Sequence, residues 1–246
     1  MRIRDYRPSD LPYLYDICLR TGDSGKDASA LLPDPFIIGQ YYAAPYAARD
    51  GRCVLILEGE RGETGLARPI GYILGTDDTA SYNAWLAAEW LPGCAALYGS
   101  GPEGPAAATA GGSGPGGGQG PAAAGAPGAG GSGRGEGGQA GQAGTPAAAP
   151  SLYERLAGLF ATAPATPAYC GRYPGHIHID ILPEGQGAGW GRRLMDAFSD
   201  RLRSLGCPGF HLGVGARNQA GVAFYRRYGM EELEAPAWGF VFGKRL

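Results

Sequence analysis

His176-Ile177-His178-Ile179-Asp180-Ile181-Leu182 alternates apolar and polar residues almost without a break, and a glycine-rich and then an amphipathic segment follow it. A period of two puts the three isoleucines on one face of a β-strand and His176, His178 and Asp180 on the other. Beyond Pro183 and the glycines of 185–191, Leu194, Met195, Phe198, Leu202 and Leu205 form a buried stripe at helical spacing, and Gly206 supplies a stop. Strand, glycine-rich turn and helix in that order predict an α/β chain.

The flanking patterns extend this reading. Upstream, Met1–Tyr6 suits a strand. Ser9 can cap a helix with Leu11, Leu14, Ile17 and Cys18 on one face and its end at Gly22. Prolines 33, 35 and 45 divide Asp23–Arg49 into short helical turns and loops. Cys53–Glu58 and Ile70–Gly75 read as an antiparallel hairpin turning around Gly59–Gly65, and Ala80–Leu91 and Leu152–Phe160 as helices. Downstream, Phe210–Val214 is a strand, Asn218 can cap a helix that ends at Gly229, and Met230–Glu234 and Gly239–Lys244 are closing strands.

Of the 45 glycines and 20 prolines, 20 and 7 are concentrated in residues 99–150, a low-complexity run of Gly, Ala, Pro, Ser and Gln. Ordering it costs roughly 1–2 kcal/mol of backbone entropy per residue with little apolar burial in return, so a disordered insertion is expected. Gly116-Gly117-Gly118 and Ala122-Ala123-Ala124 break the strict period of three that a collagen-like helix requires. The remainder predicts a single domain spanning 1–246, interrupted by this insertion.

Charge narrows the function. Lys plus Arg number 21 and Asp plus Glu 23, a net of -2, too balanced to draw the chain to nucleic acid or an anionic membrane. The five cysteines, at 18, 53, 94, 170 and 207, form no C-x-x-C pair and predict neither a metal site nor redox chemistry. With no signal-peptide pattern after Met1 and no long apolar stretch, a cytoplasmic location is expected.

The chemistry concentrates in Gln186-Gly187-Ala188-Gly189-Trp190-Gly191-Arg192. Between a strand and a helix, successive backbone N–H groups of such a loop can converge on a phosphate, aided by the helix N-terminus and by Arg192 or Arg193. A dinucleotide fingerprint fits worse, because its third glycine fails at Trp190 and the next strand ends in Gly213-Val214 without an acidic residue. The Walker lysine is absent as well.

Gln186-x-x-Gly189-x-Gly191 resembles the coenzyme A loop of Gcn5-related N-acetyltransferases (GNATs), and Asn218 followed by Phe224-Tyr225 and Gly229-Met230 resembles their second signature. Asp23–Tyr46, Ile70–Asp77, Trp90-Leu91-Pro92 and His176–Pro183 are further similar to the acetyltransferase-like C-terminal domain of O-GlcNAcases and its bacterial relatives. The resemblance implies the GNAT fold: a central, mixed, mostly antiparallel sheet, splayed between its fourth and fifth strands and flanked by helices. It implies acetyl-CoA as cofactor, held by Ile181, Leu182, Gln186, Gly187, Ala188, Gly189, Trp190, Gly191, Arg192, Asn218, Phe224 and Tyr225. Tyr225 matches the family's proton donor to the departing thiolate, and Asp180 is a candidate base, direct or through a water. Asp23, Asp27 and Asp77 are candidates for binding a cationic acceptor.

The implied activity is acetyl transfer to a primary amine of a small molecule or peptide, by direct attack in a ternary complex. The alternative is a pseudo-acetyltransferase that keeps the fold to bind CoA, a peptide or a glycan.

Overall fold

The computed structural model describes residues 1–60, 67–99 and 150–246. The elements are β1 (Arg2–Asp5), α1 (Leu11–Thr21), α2 (Ile37–Tyr42), α3 (Ala44–Asp50), β2 (Val54–Glu58), β3 (Pro69–Thr76), α4 (Thr79–Trp85), α5 (Leu91–Tyr98), α6 (Leu152–Leu159), β4 (Gly175–Ile181), α7 (Trp190–Ser204), β5 (Gly209–Gly215), α8 (Gln219–Tyr228), β6 (Glu231–Glu234) and β7 (Gly239–Arg245). The insertion expected at 99–150 lies, except for its two end residues, outside the described residues, as does most of the turn expected at 59–65.

Seven strands form one sheet in the order β1-β2-β3-β4-β5-β7-β6. Every neighbouring pair is antiparallel except β4–β5, which is parallel, so the expected mixed, mostly antiparallel sheet is what forms. β2 and β3 are buried along their whole length, because both faces of the sheet are covered there. α1 packs on β3 and β4 with Leu14, Ile17 and Cys18 buried; α7 packs on β2, β3 and β4 with Leu194, Met195, Phe198 and Leu202 buried. The two helices lie on opposite faces. Ile181 reaches Gly185 and Gly191 at the start of α7, whereas Asp180 meets Tyr72 and Cys18 beside α1. The alternation of β4 thus sends its isoleucines to one helical layer and its polar side chains to the other.

The sheet opens between β4 and β5. Only Gly175–Phe210 and His176–His211 stand in register, and beyond them the strands part. On the other side of β4, Leu182 N donates to Ile70 O at 2.8 Å. An antiparallel ladder alternates, so the even-numbered residues of β4 spend their backbone groups on β3 while Ile177, Ile179 and Ile181 turn theirs toward β5. By the same argument, the bonds Leu246 N to Pro208 O and Ala216 N to Trp238 O leave Gly213 and Gly215 facing the opening from β5.

Two local expectations change. Ser9 does not cap α1: a single tight turn, Pro8–Asp10, precedes the helix, Asp10 stands at the N-cap of α1 without a side-chain bond to it, and its carboxylate instead accepts from Arg7 N at 2.8 Å and pairs with Arg4 at 2.7 Å. The helix expected at 80–91 starts at Thr79 and continues through a π-helical turn, Leu86–Trp90, into α5. Pro92 stands in the first turn of α5, directly after the π-helical turn.

Candidate functional site

Below the opening, the chain leaves β4 through a tight turn at Pro183–Gly185, and Gln186 Nε2 donates to Ile181 O at 2.7 Å, tying the loop to the strand end. Gly187 and Gly189 then take φ of 80° and 78°, a left-handed backbone that side chains resist, and Gly189 becomes the N-cap of α7. The first helical bond runs from Arg193 N to Gly189 O. The amides from Gly187 to Arg192 therefore make no hydrogen bond to protein among the described residues, and they sit at the positive end of a helix dipole. Ala188 is exposed on the rim, Trp190 lies 4.5 Å under the Arg193 guanidinium, and the Phe224 ring packs beneath Gly191. Arg192 lies over Tyr228 and 3.8 Å from Asp196.

One expected contact is corrected. Leu182 cannot offer its backbone to an extended group in the opening, because its N–H is spent on Ile70 and its carbonyl accepts from Gly185 at 2.8 Å. Ile179 and Ile181 face the opening instead; parity within the ladder decides it. The Ile181 carbonyl is already taken by Gln186, whose side chain thus serves the loop itself.

On the α1 side, the opening leads into a cavity lined by Thr21, Ser24, Ile179, Asp180, Asn218 and Tyr225, among others. Tyr225 comes from α8 and is buried; its phenol is pushed above its ordinary range by burial and by the charge of Asp180. Among the described residues its hydroxyl has no hydrogen-bond partner. Asp180 accepts from the Tyr72 hydroxyl at 2.7 Å; burial raises its pKa and the Tyr72 bond holds part of that rise back. Asn218 Oδ1 accepts from Gly221 N at 2.9 Å, so the residue caps α8 and lines the cavity together. Cys18 also lines this cavity, but burial raises its thiol so far that it carries no thiolate.

The three acidic candidates are not brought together. Asp23 flanks the cavity, paired with Arg217 at 3.0 Å. Asp27 lies on the surface, where its carboxylate accepts from Ser29 N at 2.8 Å and is held below its usual range by that turn. Asp77 lines a separate hollow with Arg49, Asp50 and Arg52 at the far end of β3. Sequence proximity to an expected groove does not survive the fold for Asp27 and Asp77, since β3 carries Asp77 away from the open end of β4.

A second cavity adjoins the first, sharing Tyr42, Ile177, His178, Leu212 and Gly213 with it, and is walled by Tyr46, Tyr82, Tyr169, Trp238, His176 and His211. Counting donors orients its hydrogen bonds. The Thr79 hydroxyl donates to Pro174 O at 2.6 Å, so His176 Nδ1–H must donate to Thr79 Oγ1 at 2.9 Å. His176 Nε2 then accepts from the Tyr46 hydroxyl at 2.8 Å, and Tyr46 accepts from His178 Nε2–H at 3.0 Å. Burial drives His176 well below its ordinary value and His178 down to about 4, so both rings are neutral. His211 donates from Nδ1 to Tyr173 O at 2.8 Å. The lone pairs left over, on His178 Nδ1 and His211 Nε2, belong to a neutral, aromatic enclosure.

Tyr72, Tyr46 and Ser24 were not singled out from sequence. Tyr72 sits on an apolar strand and looks like core; only the register opposite Asp180 gives it a partner. Ser24 carried one faint signal, a serine before Gly25 in a tight turn.

Residues 152–230 match the model of the acetyltransferase (GNAT) family. That segment runs from α6 through α8 and carries β4, the glycine loop, β5 and Tyr225. Among solved structures, SsHAT is 27% identical over 99% of this chain and 97% of its own, with a TM-score of 0.72. PH1933 from Pyrococcus horikoshii OT3 is 12% identical over 100% of this chain and 98% of its own, with a TM-score of 0.53. The chain has a GNAT-like fold.

Proposed function

We propose that the protein is an acetyl-CoA-dependent N-acetyltransferase that acts on a primary amine of a small molecule or peptide by direct attack in a ternary complex. One observation carries the reading. The unpartnered amides at the start of α7 lie at one end of the opening, the N–H groups of Ile179 and Ile181 face it, and the cavity holding Tyr225 and Asp180 lies on its α1 side. Free amides at a helix N-terminus suit phosphates, and a strand edge without a partner suits an extended amide-bearing arm.

Acetyl-CoA, when bound, supplies an acetyl thioester whose carbonyl carbon an amine can attack. The amides of Gly187–Arg192 would hold its phosphates, with Trp190 and Phe224 beside them, and Asn218 would line the cavity at the other end. The N–H groups of Ile179 and Ile181 point toward the opening where carbonyl oxygens need donors. Tyr225 keeps its proton at neutral pH and holds it for the leaving sulfur. Asp180 takes the proton of the amine, directly or through a water, and acid–base help of this kind contributes about 10²–10⁴ in rate.

Residues 1–246 form a single domain in this reading, supported by Tyr98 before the insertion and Phe160 after it, whose rings stack at 5.3 Å. The likeness to the acetyltransferase-like domain of O-GlcNAcases and a cytoplasmic location are part of the same proposal; no helix among the described residues is long and apolar enough to cross a membrane.

The test is isothermal titration of acetyl-CoA into the protein and into a Gly189→Asp, Gly191→Asp variant. Micromolar binding that the variant loses is expected. Absence of binding to the unaltered protein refutes the reading and leaves a pseudo-acetyltransferase.

A further inference from the structure

The turn after α1 is built against the easier choice of residue. Asp23 N donates to Lys26 O at 2.9 Å and Lys26 N to Asp23 O at 3.0 Å, so Ser24 and Gly25 are the two central residues of a tight hairpin turn. Both have positive φ, 57° and 87°. A turn of that shape favours Asn, Asp or Gly at its first central position. Ser24 is the only residue other than glycine with positive φ among the described residues. Strain of this kind is kept where something else requires the side chain.

The Ser24 hydroxyl is the oxygen that the strain holds in place. It is buried, has no hydrogen-bond partner among the described residues, and lines the cavity of Asp180 and Tyr225. Several polar atoms around it are bonded elsewhere. Thr21 Oγ1 donates to Ile17 O at 2.7 Å, Asn218 Oδ1 accepts from Gly221 N, and Asp180 Oδ2 accepts from Tyr72. The turn itself is anchored at both ends: Gly25 N donates to Thr21 O at 2.9 Å, and Asp23 pairs with Arg217 in the segment joining β5 to α8. It therefore crosses the mouth of the opening on the α1 side, the face opposite the glycine loop. A group arriving from the α7 side and a second group arriving from the α1 side meet between these walls.

We propose that Ser24 contacts the acceptor, its oxygen taking a hydrogen bond from the attacking nitrogen while the other N–H proton of that nitrogen leaves toward Asp180. The inference rests on the acetyltransferase reading and adds a specificity to it. A neutral primary amine has one N–H for each of the two acceptors. A secondary amine has only one N–H and must leave either Ser24 or the base without a partner, and a site built to bond an N–H discriminates against an analogue that lacks it. Ser24 thus selects primary over N-methylated amines.

The experiment compares the full-length protein with Ser24→Gly and Ser24→Ala. Glycine removes both hydroxyl and strain, whereas alanine removes the hydroxyl and keeps the strain. Release of free CoA thiol is followed with a panel of primary amines, benzylamine and butylamine among them, each beside its N-methyl counterpart. Both variants are expected to lose about tenfold or more in kcat/KM for the primary amines, with the preference over N-methyl amines narrowed by a similar factor. Their acetyl-CoA dissociation constants stay within about twofold of the parent, and Ser24→Gly melts no lower than the parent because glycine accepts positive φ. Ser24→Gly with unaltered turnover and unaltered amine preference overturns the proposal, as does a parent that binds acetyl-CoA yet acetylates no primary amine of the panel. A parent that fails to bind acetyl-CoA overturns the acetyltransferase reading itself.

Discussion

The Tyr72 hydroxyl donates to Asp180 Oδ2 at 2.7 Å, across a β3–β4 register that sets the two residues directly opposite each other. Burial lifts the Asp180 pKa, and this bond is the first effect that opposes the lift. A donor to the charged form favours ionisation, so Tyr72→Phe raises the pKa further. The acidic limb of kcat/KM against pH then moves to higher pH, with little change above it. Asp180→Asn removes the base and costs about 10² or more at every pH. A pH–rate series on the three proteins checks both outcomes.

Tyr225 is protonated across the accessible pH range, since burial and the Asp180 charge both raise it. Tyr225→Phe keeps the ring that packs 5.8 Å from Phe242 and removes only the proton donor. The expected result is a fall of about 10²-fold in kcat, within the range for acid–base catalysis, with acetyl-CoA affinity preserved. Single-turnover thiol release and calorimetry on the same variant separate the two quantities; an equal loss of both points to misfolding.

Two glycine substitutions have opposite signs for one reason. Gly189 has φ of 78° with nothing near an added Cβ, so Gly189→Ala costs about 1–2 kcal/mol through backbone strain alone. Gly158 is an exposed position inside α6 with equally open surroundings, and Gly158→Ala gains roughly 0.5–1 kcal/mol by removing glycine from a helix. Denaturant melts should move in opposite directions.

Stability falls with acid in a window set by the histidines. His178 titrates near 4 in the folded chain and at its ordinary 6.5 when unfolded, so between those values the unfolded chain binds the extra proton. Stability is therefore greatest above 6.5 and declines as pH falls toward 4, by about 1.4 kcal/mol per pH unit for each histidine held neutral. His176 acts in the same sense, while Asp180, whose pKa is raised, works against it at the acid end. His178→Gln should flatten the slope, measured as ΔG of urea unfolding at pH 7, 6 and 5.

Two kinds of information met in the site with different success. The alternation of 176–182, the positive-φ glycines before α7 and the Asn218 cap are local, and each stands where periodicity and turn chemistry put it. Leu182 was assigned to the opening and belongs to the β3 ladder, because a strand's two edges differ by one residue of parity that no single strand reveals. Asp27 and Asp77 failed for a broader reason: an acidic side chain in a loop has no periodicity to say which way the loop will face.

By itself the sequence determined the parts: a β-strand with one apolar and one polar face, a loop able to expose its amides, and a helix to receive it. These follow from near-neighbour sterics and burial, which act along the chain. Tertiary structure alone decided that β4 and β5 part after two pairs, and that Tyr72 holds Asp180. It also decided that Tyr46 links two neutral histidines, and that a strained Ser24 closes the same cavity as Tyr225. Each of these joins residues far apart in the chain, and what brings them together is the register and packing of the sheet as a whole.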